Sequence, residues 1–308
     1  MQFIIFILVY PIIWLLSILP LRVLYILSDF IFVLIYYVFG YRKEVVRDNL
    51  KLSFPKKTAK ELKEIEKKFF HHFVDIFIEM IKSFSISKKE ILKRYKYTNI
   101  DVINDIENSG KSIVIMGAHY NNWEWIITLN NYVKANTFAA YTRIENKYFE
   151  RAMLASREKL GADFIQTTKF VKKMETNKAN NILSIYGLLS DQSPQLHKAK
   201  YFNKFMGVKV PIHTGAEFLA KRFDLAVVLM KTRKIKRGYY ETTFEILTET
   251  PKDFEDYKLT DLFLQKIEKQ IKEAPEYYFW SHKRWKHANS IEKELAKRER
   301  KRLEKLNK

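Results

Sequence analysis

The chain opens on two apolar runs. From Phe3 to Leu19 only Tyr10, Pro11 and Ser17 interrupt the first, and from Leu21 to Phe39 Arg22, Ser28 and Asp29 interrupt the second. A membrane-crossing helix needs about 20 mostly apolar residues, and the first run reaches that length with Pro11 as its kink site. No basic stretch precedes Phe3 and no clear small-residue cleavage site follows the run, so the pattern predicts a retained anchor rather than a signal peptide. Arg42, Lys43 and Arg47 follow the second run, and the positive-inside bias places the rest of the chain in the cytoplasm. Carrying Asp29, the second run is expected to lie against the protein or in the interface.

From Tyr41 to Leu92 the period becomes helical, broken at Asn49-Leu50 and Phe54-Pro55. Thr58 is the expected N-cap of a helix whose buried stripe is Leu62, Ile65, Phe69 and Phe73. Beyond Tyr97 short β-rich runs take over: Ser112–Met116, Thr137–Thr142, Asp163–Gln166, Ile182–Leu189, Ala226–Met230 and Glu241–Leu247. Amphipathic stretches at 147–160, 168–176 and 214–223 separate several of them. This alternation predicts an α/β fold, a mostly parallel sheet flanked by helices, with sites outside the carboxyl ends of strands. The expected division is an anchor and interfacial helix over 1–40, one main domain over 41–290 and a charged tail over 291–308.

Composition narrows the partners. The absence of cysteine removes disulfides and thiolate-bound metal, while abundant aromatics (Phe 23, Tyr 18, Trp 5) suit contact with lipid or large apolar ligands. A formal net charge of +20 attracts nucleic acid, anionic headgroups or a phosphorylated substrate. The apolar N-terminus favours a membrane surface, and no groove-entering or base-stacking motif supports nucleic acid.

One segment carries chemistry. The buried strand at Ser112–Met116 runs into Gly117-Ala118-His119-Tyr120-Asn121-Asn122-Trp123-Glu124, which puts His119 at a strand's carboxyl end and Glu124 in the first turn of the next helix. A carboxylate on one ring nitrogen fixes the tautomer and raises basicity, so Glu124 facing back onto His119 makes a general base for a hydroxyl. The helix start adds N–H groups for an oxyanion. Spacing alone equally fits a helix-start glutamate and a structural histidine. Arg143 and Arg157 lie near the carboxyl edge of the sheet, where a guanidinium suits a phosphate or headgroup but also suits an ordinary surface pair. His71-His72 with Asp75 and Glu79 has metal-like spacing but no third ligand set, and reads as structural. The cluster His282-Lys283-Arg284-Trp285-Lys286 fits either a headgroup grip or a buried aromatic lock.

His119-x-x-x-x-Glu124 matches the H-x-x-x-x-[DE] motif of the glycerolipid acyltransferase superfamily, and its surroundings resemble the bacterial lipid A late acyltransferases of lauroyl and myristoyl type. The resemblance continues at Tyr41-Arg42, Asn49-Leu50, Phe54-Pro55, Arg157-Glu158 with Gly161, Asp191-Gln192, Phe205-Met206-Gly207, Pro211, Thr214-Gly215 and the run from Pro275 to Lys286. One departure is Ser193-Pro194, where the family often carries a third acidic residue. The resemblance implies an O-acyltransferase domain over 41–290 at the cytoplasmic face of the inner membrane, moving a fatty acyl chain from acyl carrier protein or coenzyme A to a glycolipid hydroxyl. A lipid A precursor is the expected acceptor, with a lysophospholipid or aminolipid as alternative. It implies His119 and Glu124 as catalytic, Asn122, Arg143, Arg157, Asp191 and Gln192 as substrate-binding, and no metal or redox cofactor. The alternative of another class is a non-catalytic membrane protein that binds polyanions.

Overall fold

The computed structural model describes residues 1–306. Two apolar helices, α1 (Gln2–Ile18) and α2 (Leu21–Val33), come first, and α2 runs on through a π-helical segment to Phe39. Leu21–Phe39, and not the first run as expected, is the one helix among the described residues long and apolar enough to cross a membrane; α1 is apolar but shorter. Three helices follow, α3 (Lys43–Ser53), α4 (Ala59–Lys82) and α5 (Lys88–Arg94), then strand β1 (Tyr95–Tyr97) and α6 (Asp101–Asn108). Thr58 caps α4 as expected, its hydroxyl accepting from the Glu61 N–H while the Glu61 carboxylate accepts from the Thr58 N–H.

The rest alternates. In order come β2 (Ile113–Gly117), a 3-10 helix (Glu124–Asn131), β3 (Asn136–Tyr141), α7 (Lys147–Glu158), β4 (Asp163–Gln166), α8 (Thr167–Ala179), β5 (Ser184–Leu189), β6 (Tyr201–Phe205), β7 (Val208–Ile212), α9 (Gly215–Phe223), β8 (Ala226–Lys236), β9 (Tyr239–Thr248), α10 (Lys258–Glu273) and α11 (Ile291–Leu306). Seven strands form one sheet in the order β1-β9-β8-β2-β5-β3-β4. The five from β8 to β4 are mutually parallel, while β9 runs antiparallel to β8 and β1 parallel to β9. The fold class is therefore the expected one. β2 sits centrally and is buried at every position, which is why its sequence is unbroken Ile-Val-Ile-Met-Gly rather than alternating. Val114 and Met116 face a core shared with Phe69 and Phe70 of α4 and Phe263 of α10, while Ile113 and Ile115 face Ile103 and Ile106 of α6. The β6–β7 hairpin stands apart as its own two-stranded sheet. The charged tail is helical from Ile291 to Leu306; its last two positions lie outside the described residues.

The second apolar helix is seated on the domain by charge. Ser28 donates to Asp75 Oδ1 at 2.8 Å, and Arg237, in the β8–β9 turn, reaches Asp29 at 2.6 Å and Asp75 at 2.7 Å. Gly238 beside it has φ +71°, and a Cβ there would stand 2.1 Å from the Tyr25 hydroxyl, so a glycine suits both the turn and the close approach. On its other side α2 exposes Val23, Ile26 and Phe30. α1 leaves most of its apolar residues exposed and packs Phe6 against Phe149 of α7.

Asp75 is wholly buried, so removing its arginine leaves a carboxylate with Lys234 at 3.5 Å as its remaining ion-pair partner. Breaking a buried pair from one side typically costs about 3–5 kcal/mol. With Lys234 still present and Arg237 partly exposed, Arg237→Ala is expected to lose roughly 3 kcal/mol or somewhat less. Denaturant unfolding in detergent measures this, and limited proteolysis should cut first between α2 and α3.

Candidate active site

The register of the central strands builds the site. β2 and β5 pair in parallel with Gly117 opposite Leu189, so the residues two beyond each strand, His119 and Asp191, emerge side by side. His119 Nδ1 lies 2.8 Å from Asp191 Oδ1, and the His119 backbone N–H donates to the same oxygen at 3.1 Å. An ionised carboxylate only accepts, so Nδ1 carries a proton, and in the neutral ring Nε2 keeps its lone pair. Asp191 is 1% exposed. Burial alone would raise its carboxyl, but the charge of His119 and the hydrogen bonds to its ring and backbone outweigh burial and hold the pKa below the ordinary value.

Glu124 is not the partner of this ring. The turn after β2 passes through Asn121 at φ +53° before the 3-10 helix begins, and Trp123 stands against the imidazole with ring centroids 5.3 Å apart. Glu124 instead accepts from Arg157 Nη2 at 2.5 Å, and the Arg157 guanidinium lies over the Phe164 ring at 4.6 Å. His119, Glu124, Arg157 and Gln192 all line one cavity of about 620 Å³. Its remaining wall is mainly aliphatic, with Ile115, Ile126, Leu129 and Met230 on the α6 face of the sheet. Gly187 lies on the same face, and a Cβ added there would meet nothing closer than 3.8 Å.

The other expected binding residues are placed differently. Asn122 is 1% exposed and turned inward: Nδ2 donates to Glu79 Oε2 at 2.7 Å and Oδ1 accepts from the Trp125 N–H at 3.1 Å. Its amide is spent inside the protein. Arg143 sits beyond β3, largely exposed, with Glu150 at 3.5 Å, and is not among the cavity-lining residues. Asp191, expected to bind substrate, faces His119.

The run from Pro275 to Trp285 braces this loop. Phe279 N–H donates to His119 O at 3.1 Å, Asn121 N–H donates to Tyr277 O at 2.9 Å, and Tyr120 and Tyr278 form an antiparallel bridge. Arg42 and Asn49 hold the same run from behind, Asn49 Nδ2 reaching Trp280 O at 2.7 Å and Arg42 reaching Ser281 O at 3.0 Å. Trp280, Arg284 and Trp285 are buried, and the two indoles stack at 5.8 Å. Of the two readings of the 282–286 cluster, the buried aromatic lock is the one observed. Sequence reasoning passed over His213, which lines the cavity, and the contact of Trp123 and Phe279 with the imidazole; only the tertiary fold brings them there. Burial pushes His282 down to about 4 against the pull of Asp191, and it lowers His213 as well. Both rings are therefore neutral near pH 7, and His119 is the imidazole in hydrogen-bond contact with Asp191.

The family described as bacterial lipid A biosynthesis acyltransferase matches residues 1–287. Curated relatives include the lipid A biosynthesis palmitoleoyltransferase of Escherichia coli (strain K12) and the lipid A biosynthesis acyltransferase of Shigella flexneri. Each is 23% identical over 258 residues, covering 80% of this chain and 79% of the relative. The family match starts in the first apolar helix and ends just past the aromatic brace, so it takes in the fold and the site as one unit, and the chain belongs to the bacterial lipid A biosynthesis acyltransferases, which are O-acyltransferases.

Proposed function

We propose that this chain transfers a fatty acyl group from an acyl thioester, on acyl carrier protein or coenzyme A, to a hydroxyl of a membrane-embedded lipid A precursor at the cytoplasmic face of the inner membrane. The observation that carries this reading is an imidazole oriented through Nδ1 by a buried aspartate, with no hydrogen-bond partner for Nε2 among the described residues, lining a mainly aliphatic cavity of a size suited to a ligand's apolar body. Nε2 takes the proton of the acceptor hydroxyl as its oxygen attacks the thioester carbonyl. The carbon–sulfur bond then breaks and the departing thiolate takes that proton back, leaving an ester and a free thiol. Asp191 holds the tautomer and stabilises the imidazolium between the two transfers. The cavity receives the acyl chain, a role in line with a relative named for palmitoleoyl transfer. Glu124 and Arg157 act as a unit at the same cavity, Arg157 offering its guanidinium to an anionic group of the acceptor and Glu124 fixing its plane. Membrane association comes from the exposed apolar faces of α1 and α2.

Acyl transfer by folded variants, with one thioester donor and the product lipids read by mass spectrometry, tests the dyad. His119→Ala is expected to lower kcat by about 10²–10⁴. Asp191→Asn should lower it by about 10² or more, because the amide can present its NH₂ to the ring and favour the wrong tautomer. The two losses should be markedly non-additive. Near-normal turnover by folded His119→Ala would falsify the mechanism.

Arg157→Ala should cut kcat/KM for the acceptor roughly ten- to a hundredfold, the usual worth of a charge-assisted hydrogen bond. Its double-mutant cycle with Glu124→Gln should show strong coupling, while Glu124→Gln with Asp191→Asn should be close to additive. The reverse pattern of couplings would return Glu124 to the role of histidine partner. Acceptor profiling in the same assay separates a lipid A precursor from a lysophospholipid or aminolipid.

A further inference from the structure

Glu79 sits in α4 with no solvent exposure, and the acyl-transfer chemistry makes no use of it. Its carboxylate accepts hydrogen bonds from three separate elements. Tyr25 of α2 donates at 2.8 Å, Tyr240 of β9 at 2.9 Å, and Asn122 of the loop after β2 at 2.7 Å. Among the described residues no lysine or arginine forms an ion pair with it. Three donors converging on one buried carboxyl are all satisfied only when it is ionised and accepts alone. A buried charge without a cation costs stability, so packing alone favours something else at this position.

The arrangement leads from α2 to the catalytic loop. Asn122, held by Glu79 through Nδ2, uses Oδ1 to accept the Trp125 N–H, and so fixes the first turn of the 3-10 helix that carries Glu124. Trp125 is also tied to the residue that ends α4, its indole N–H donating to the Ser83 hydroxyl at 3.0 Å. We propose that Glu79 is a positioning residue for the transfer reaction: it locks the turn between His119 and Glu124 to the seat of the apolar helix α2. The proposal rests on the reading of His119 and Glu124 as participants in acyl transfer.

The charged and titratable surroundings of Glu79 are Asp75 on its own helix, Tyr25 on α2, Lys234 on β8 and Tyr240 on β9, with Arg94 of α5 next to Tyr25. Burial first, and then the charge of Asp75, raise the Glu79 carboxyl to about 7, while the Tyr25 and Tyr240 hydrogen bonds and Lys234 pull the other way. A raised carboxyl means that the folded protein holds a proton the unfolded chain has released. Glu79 therefore costs stability progressively as pH rises from the ordinary carboxyl range through about 7.

Glu79→Gln separates positioning from scaffolding, because the two predict opposite pairings of activity and stability. Under the proposal kcat falls about tenfold with the donor KM little changed, since the amide can meet three donors with only one oxygen. The thermal midpoint of the variant relative to wild type rises between pH 5 and pH 8. A scaffolding residue gives a lower midpoint at pH 8 and full activity per folded molecule, and that result overturns the proposal. If Glu79→Gln does not fold, Tyr25→Phe decides: it removes one hydrogen bond from the α2 side and touches no catalytic group. A loss of about threefold in kcat supports the proposal, and unchanged kcat overturns it. His119→Ala run alongside tells the two readings apart, for its retained activity would sink the transfer mechanism rather than this role of Glu79.

Discussion

A carboxylate taken out of water has to be compensated on the spot, and at the tip of β5 the compensation comes from one residue. Asp191 is buried to 1% exposure, and its Oδ1 receives both the ring and the backbone N–H of His119. The imidazole is therefore held at two points, which fixes its plane and its tautomer before any substrate arrives. This geometry requires the in-register parallel pairing of β2 and β5; a slip of one residue would turn every side chain of β2 to the opposite face of the sheet and move His119 away from its partner. Strand register is thus the constraint on which the chemistry depends, and the apolar faces of β2, β5 and β8 are what hold it.

The short motifs scattered along the chain have a common location. Arg42 and Asn49, far toward the N-terminus, grip the backbone of Trp280, Ser281 and His282, and Trp285 donates to the carbonyl of Phe205. Arg284 reaches the carbonyl of Pro211. These contacts converge on the segment that hydrogen-bonds the main chain at His119 and Asn121. Residues that look unrelated in the sequence are parts of one brace, and most of its bonds run from side chain to backbone, where small substitutions would leave a buried polar group unmatched.

How much of this is legible in the sequence follows from the range of the interactions involved. The central strands β2 and β5 and the first half of β8 are readable because strands buried on both faces are continuous apolar runs, and the α4 start is readable because its cap is a local pair, Thr58 with Glu61. Three strands escape: β1 is three residues long, and the β6–β7 hairpin mixes lysine and asparagine into its runs. In the site, the position of His119 at a strand end is readable, but its partner is not, since Asp191 lies 72 residues away and arrives only through strand pairing. Glu124 was the nearest carboxylate in sequence and is committed to Arg157 in space. Asn122 misleads for the same reason: its neighbour Glu79 belongs to a helix formed before the sheet begins, and that contact turns the amide inward.

The brace has a consequence for the timing of synthesis. The apolar helices that face the membrane are made first, while the segment around Phe279 that pins the main chain of His119 emerges some 160 residues after that histidine. At about 5–20 residues per second, the loop that carries His119 leaves the ribosome on the order of ten seconds before its support does. During that interval the nascent chain already has its membrane-facing helices but lacks the contacts that hold its imidazole in place. The last-made part of the domain thus completes the candidate site: a chain that stalls or is cut short before the aromatic run has its apolar helices but not the contacts that hold the main chain at His119.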